Sequence, residues 1–175
     1  MWEFNEATGE VTLTGLGAYL GLPKAVNAGE LPNVDVPEFV TYSVMMAGNM
    51  MTVTIEAGAG VFWTFELAKE GEHHQEPIFG NWKLAPMPGA LRVGPSAGSG
   101  EWWSSSAEDV ETRACFFDDE YIFHEDGSFQ NILGNETWLE GWQGVDADQC
   151  GVPVAPHDGL NLSLIHISEP TRHAS

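Results

Sequence analysis

Tryptophans and carboxylates dominate the side chains of this 175-residue sequence that could do chemistry: there are 7 Trp and 26 Asp plus Glu. Trp102-Trp103, Trp138 and Trp142 fall near loops or strand ends, whereas Trp2, Trp63 and Trp82 fit alternating, inward-facing positions. An indole face stacks on a sugar ring while carboxylates and amides take the hydroxyls, so the first group suits a glycan. The same indoles would equally serve to fill and plug a small β-barrel. On the glycan reading the site comprises Trp102, Trp103, Trp138, Trp142 and Tyr19, with Glu140 or Asp158 accepting hydroxyl bonds.

Other chemistries find less to work with. Asp118-Asp119-Glu120 and Asp146-x-Asp148 offer hard oxygen ligands, so calcium is the one cofactor left open. No Asp-x-Asp-x-Asp-Gly loop with a later Glu accompanies them, and so acidic a chain also forms such clusters as solvated loop faces. His157 and Asp158 are adjacent, but no Gly-x-Ser-x-Gly elbow presents a nucleophile to them. His73-His74 lie in an acidic stretch and are expected to see only water. Cys115 and Cys150 are the only cysteines, and neither sits in a Cys-x-x-Cys pattern or near histidines at zinc-site spacing. They can form a disulfide, stay as two buried thiols, or supply a catalytic thiol. No catalytic residue and no metal ligand is assigned.

The charge balance narrows the partners. With 6 Lys plus Arg the formal net charge is −20, which repels phosphate backbones and anionic lipid. Nucleic acid and membrane surfaces are therefore poor partners. Hydrophobic residues make up 43% of the chain, enough for a packed core rather than a disordered acidic tail. No apolar run approaches the ~18–20 residues that would span a bilayer. The length suits one domain. The start, Met1-Trp2-Glu3-Phe4, has no basic residue or apolar stretch, so no signal peptide is expected there.

Antiparallel strands must position these residues. Trp2–Asn5 and Val11–Thr14 flank a turn containing Gly9, and Thr41–Val44 leads through Gly48-Asn49 into Met51–Glu56. Val61–Leu67 extends that meander, and Trp82–Leu84 is a short strand. Tyr121–Ile122–Phe123 turns at Asp126-Gly127 into Ser128–Leu133, and Thr137–Glu140 continues the run. Eight such strands predict an all-β, up-and-down barrel or small sandwich. One short helix is expected over Ala107–Arg113, where Ser106 and Asp109 fit a capping pattern. Tyr19–Pro37, rich in Gly and Pro, is an ordered excursion across a barrel mouth or a loop.

Gly80-x-Trp82 opening a first barrel strand resembles lipocalin-like modules. Further segments resemble a tandem β module of secreted marine Bacteroidota proteins: Trp102-Trp103-Ser104, Phe117-Asp118-Asp119-Glu120-Tyr121, Asp126–Asn131, Thr137–Glu140 and Pro153–Gly159. Gly17–Gly21, Pro23–Leu31 and Trp63–Leu67 resemble the other half of that module, here in swapped order. The resemblance implies that 1–68 is the second half of one repeat, 69–79 a linker and 80–161 the first half of the next. It further implies that 1–161 closes into one circularly permuted, lipocalin-like domain, with Ala68–Asn81 bridging the last strand to the first. Such modules are accessory to laminarinase-type glycoside hydrolases, so the expected partners are a polysaccharide and neighbouring repeats of the same chain. The expected location is extracellular or at the cell surface. The paired-carboxylate strand Glu-x-Asp-x-x-Glu of those hydrolases is not found, so any catalytic domain would lie outside this chain. For a secreted module the two cysteines imply one disulfide, with Cα atoms ~4.4–6.8 Å apart. Leu162–Arg172 resembles a translated sequencing-adapter end, and 162–175 is expected to lie outside the fold.

Overall fold

The computed structural model describes residues 1–15, 17–26, 37–71 and 78–159. His73-His74, the 27–36 part of the Gly- and Pro-rich excursion and the 162–175 segment lie outside them.

Period-two burial builds the sheet from the N-terminus. β1 (Trp2–Asn5) pairs antiparallel with β2 (Glu10–Thr14), Trp2 standing opposite Leu13. Asn5 organises the turn between them by accepting from the backbone N–H groups of Ala7 and Thr8. β2 pairs with β3 (Phe39–Ala47), and β3 with β4 (Met50–Glu56). Along β3, Val40, Tyr42 and Val44 are buried while Phe39, Thr41, Ser43 and Met45 face outward, as expected of a strand with one face on the core.

β5 (Phe62–Lys69) is the branch point. Its second half pairs with β6 (Gly80–Leu84), Leu67 lying opposite Leu84, and its first half pairs with β7 (Leu91–Gly94), Phe65 opposite Leu91. β6 and β7 therefore run end to end along β5. The break between them holds Pro86 and Pro88, which have no N–H to give a ladder. β8 (Trp103–Ser104) adds to β7, β9 (Glu120–Phe123) to β6, and β10 (Phe129–Ile132) to β9. Asp126 caps the last hairpin by accepting from the Ser128 N–H and hydroxyl, and Gly127 supplies the positive φ of 81°.

The sheet nearly closes into a barrel. Trp2 N–H donates to Gly127 O at 2.8 Å, and the Trp2 indole N–H to His124 O at 3.0 Å, so β1 meets the β9–β10 turn. Trp2 is half-buried at this seam, edge-on to Phe79 and Phe123. Trp63 and Trp82 are buried. One buried cluster joins Val11, Tyr42 and Phe65 to Trp82, Phe116 and Phe123, so residues from both sides of the 69–79 stretch share a core. Each large apolar side chain in it contributes roughly 1.5–3 kcal/mol by leaving water.

The all-β, barrel-like class is as expected, with three corrections of detail. Among the described residues the expected single helix is one of three short ones: α1 (Pro23–Val26), α2 (Ala107–Thr112) and α3 (Ala114–Phe117). Ser106 caps α2, its hydroxyl accepting from Asp109 N–H while the Asp109 carboxylate accepts from Ser106 N–H. Among the described residues the strands number twelve rather than eight: β7, β8 and β12 (Gln149–Gly151) were not expected, and β11 (Thr137–Leu139) is a strand of its own. Thr137–Glu140 does not continue the β10 run. β11 (Thr137–Leu139) leaves the barrel at Gly134 and pairs with β12 in a separate two-stranded sheet.

These additions cover one end of the barrel. Tyr42 reaches up to bond both the N–H and the carbonyl of Leu20. Gly21 packs so closely that a Cβ there would lie 2.2 Å from the Phe65 ring, and its φ is 76°. Cys115 of α3 and Cys150 of β12 form a disulfide with Cα atoms 5.9 Å apart, inside the expected range. It ties the small sheet to the helices.

Candidate ligand-binding cleft

A cleft of about 810 Å³ opens at the covered end, between the barrel wall and its cap. Its walls are apolar: Val61 and Trp63 from the start of β5, Leu91 and Val93 from β7, and Leu22 beside α1. Ladder pairing of Val93 with Trp103 turns the Trp103 indole to the same side of the sheet, and the neighbouring Trp102 stands at the rim, 53% exposed. The lip is the β4–β5 turn at Ala57–Ala59, where Ala59 holds a φ of 53°, a strained conformation for a residue with a Cβ.

Three charged groups complete the lining: Lys24, Arg113 and Glu140. Arg113 sits at the junction of α2 and α3. Its guanidinium lies between two indoles, 4.9 Å from the Trp103 ring centre and 4.5 Å from that of Trp138, and its Nε is 3.6 Å from Asp109. Glu140 is buried, with Oε2 accepting from the Trp142 indole at 2.9 Å and Oε1 3.8 Å from the Lys24 ammonium. Among the described lining residues Glu140 is the one carboxylate.

The residues expected to form a glycan site are thus partly brought together. Trp102, Trp103 and Glu140 share the cleft. Trp138 lies behind Arg113, only 9% exposed, and touches the cleft through that cation alone. Trp142 stands behind Glu140 and lines a separate depression of about 210 Å³ with Val154, Pro156 and His157. Tyr19 and Asp158 lie apart from the described lining of the cleft. Tyr19 is buried beneath the cap, its hydroxyl donating to His157 O at 3.2 Å and its ring edge-on to the His157 imidazole, so no face is left for a sugar. Asp158 is half-buried beside these two residues: burial raises the Tyr19 pKa and the Asp158 charge adds to the rise, whereas burial lowers the His157 pKa and Asp158 partly opposes the fall.

The acidic triplet considered for calcium disperses. Asp118 is exposed, and Glu120 pairs with Lys83 at 3.2 Å. Asp119 turns into the core, where burial pushes its carboxyl up to about 8 despite the Thr137 hydroxyl bond. Asp148 accepts from the Gly141 N–H. Among the described residues, no three His, Cys, Asp or Glu side chains gather as a metal would require.

Leu22, Lys24 and Arg113 were not expected at the site. The sequence carried one usable signal, the scarcity of cations: among the described residues, Lys24 and Arg113 line this cleft against the one carboxylate of Glu140. Among the described residues no helix is long and apolar enough to cross a membrane.

No family model, curated protein or solved structure matches this chain.

Proposed function

We propose that the chain is a non-catalytic, extracellular accessory module of a large secreted protein, and that its cleft contacts a glycan. The observation that carries this reading is the convergence of Trp102 and Trp103 with Lys24, Arg113 and Glu140 on a single opening. A pyranose has an apolar face and a rim of hydroxyls, and this lining offers two indoles, Trp102 the more exposed, together with charged side chains. The Cys115–Cys150 disulfide is compatible with an oxidising, extracellular setting. If the parent protein degrades polysaccharide, that chemistry belongs to residues outside this chain.

Affinity electrophoresis through gels carrying neutral and acidic polysaccharides, laminarin among them, tests the reading. Retardation in at least one gel, lost in the Trp102→Ala, Trp103→Ala double variant, is the expected result. Unretarded migration in every gel would leave a spacer and remove the glycan from the proposal.

A further inference from the structure

The charge of the cleft runs against the charge of the molecule. The chain carries −20, yet the lining holds two cations and one anion. Lys24 and Arg113 each have a carboxylate nearby, Glu140 and Asp109, and the other described cations lie elsewhere on the barrel: Lys83 with Glu70 and Glu120, Arg92 with Glu66, and Lys69 over the Trp82 ring. In a sequence so short of basic residues, two at one opening form a local exception that the fold has assembled from distant positions.

Arg113 is the better defined of the two. Its guanidinium carbon lies over the Trp103 and Trp138 rings, and its Nε is 3.6 Å from Asp109 Oδ1. The Nη edge is what these contacts leave for the cleft that Arg113 lines. That edge is the fork that meets a carboxylate with two parallel hydrogen bonds, and a guanidinium clamped between indoles loses little rotamer freedom in doing so. Packing alone does not call for a cation in the lining of a largely apolar cleft, where an aliphatic side chain would fill the same space without the cost of partly desolvating a charge.

Resting on the glycan reading, we infer that the sugar held in this cleft is a uronic acid, with its carboxylate on the Arg113 edge and its ring against the indoles. The net charge of −20 bears on how many carboxylates the ligand can carry. At physiological ionic strength the Debye length is about 8 Å, so a single carboxylate beside Arg113 and Lys24 responds mainly to them. A dense polyuronate would extend past the cleft into the field of the acidic surface. A glycan bearing sparse or terminal uronates fits both constraints.

The test compares three probes by titration of tryptophan fluorescence: a β-linked disaccharide ending in glucuronic acid, its methyl ester, and the parent neutral disaccharide. The acid is expected to bind at least tenfold more tightly than either neutral probe. Arg113→Gln should abolish that preference, Arg113→Lys should restore only part of it because a point charge lacks the fork, and Trp102→Ala should weaken all three probes alike. Melting curves confirm that the variants are folded, and the acid-against-ester comparison needs no variant at all. Equal binding of acid, ester and neutral disaccharide to the wild type, with Trp102→Ala weakening each, would overturn the uronate and leave the glycan site standing. Failure of all three probes to bind, or binding untouched by Trp102→Ala, would overturn both.

Discussion

The Thr137 hydroxyl donates to Asp119 Oδ2 at 2.7 Å inside the core, joining the first residue of β11 to the residue before β9. Asp119 Oδ1 has no hydrogen-bond partner among the described residues. Desolvation dominates this carboxyl and lifts its pKa from 3.8 to about 8, with the Thr137 bond opposing and Asp118 adding to the rise. The native state therefore holds a proton that the unfolded chain releases above pH 3.8. Stability from this group is greatest below that pH, declines as pH rises towards 8, and is flat above it. Asp119→Asn should remove the decline, so the difference in unfolding free energy between variant and wild type should grow in the variant's favour by roughly 1 kcal/mol per pH unit at the steepest point. Urea titrations of both proteins between pH 4 and pH 8.5 measure it, and parallel curves would show that Asp119 titrates normally.

His157 works in the opposite sense. Burial lowers its pKa, the neighbouring Asp158 only partly opposing, so the folded protein prefers the neutral imidazole. Its contribution is present above 6.5 and is lost as pH falls through the depressed native value. His157→Gln should be less sensitive than the wild type to acid in that window. Thermal melts at pH 7 and pH 5 give the comparison.

The disulfide should matter for the cap more than for the barrel. It joins α3 to β12, and β12 is held otherwise by its pairing with β11. Cys115→Ser with Cys150→Ser should cost about 2–4 kcal/mol. Hydrogen exchange should rise first in β11 and β12 while the β3–β4–β5 amides stay protected. Uniform loss of protection would mean that the cap and barrel unfold as one unit.

Gly21→Ala is expected to be severe for so small a change. The new methyl would meet the Phe65 ring at 2.2 Å on a backbone with φ of 76°. Overpacking costs roughly 1–3 kcal/mol and the left-handed conformation about 1–2 kcal/mol more for a non-glycine residue. A melting temperature within a degree or two of the wild type would show that the 17–26 segment can lift away from the core.

Shared packing across the 69–79 stretch predicts the behaviour of a nicked chain. β5 and β6 are paired, and Phe65 and Trp82 belong to one buried cluster. A protease site placed between residues 72 and 77 and then cleaved should leave two fragments that co-elute on gel filtration and separate only in denaturant. Separate elution in buffer would mean two independent half-sheets.

Much of the barrel was legible because strands with one face on the core declare themselves locally. The alternation of β3, the Asn5 and Asp126 turns and the Ser106 cap each depend on residues within a few positions of one another, so reading along the chain finds them. Hydrophobic content likewise pointed to a packed core, and the −20 charge away from phosphate backbones and anionic lipid, since both are properties of composition. Trp102, Trp103 and Glu140 could be picked out as types suited to one site. Their companions could not. Lys24 and Arg113 reach the cleft because the 17–26 segment crosses the barrel end and because β8 turns Trp103 towards the α2–α3 junction. Tyr19 and Trp142 looked equally suitable as residues, yet the first is sealed under the cap and the second is turned to the far side of Glu140. Side-chain type and spacing determine which chemistry a residue can offer. Which residues share a wall depends on contacts between positions far apart in the chain, and only closure of the sheet and packing of its cap decide those.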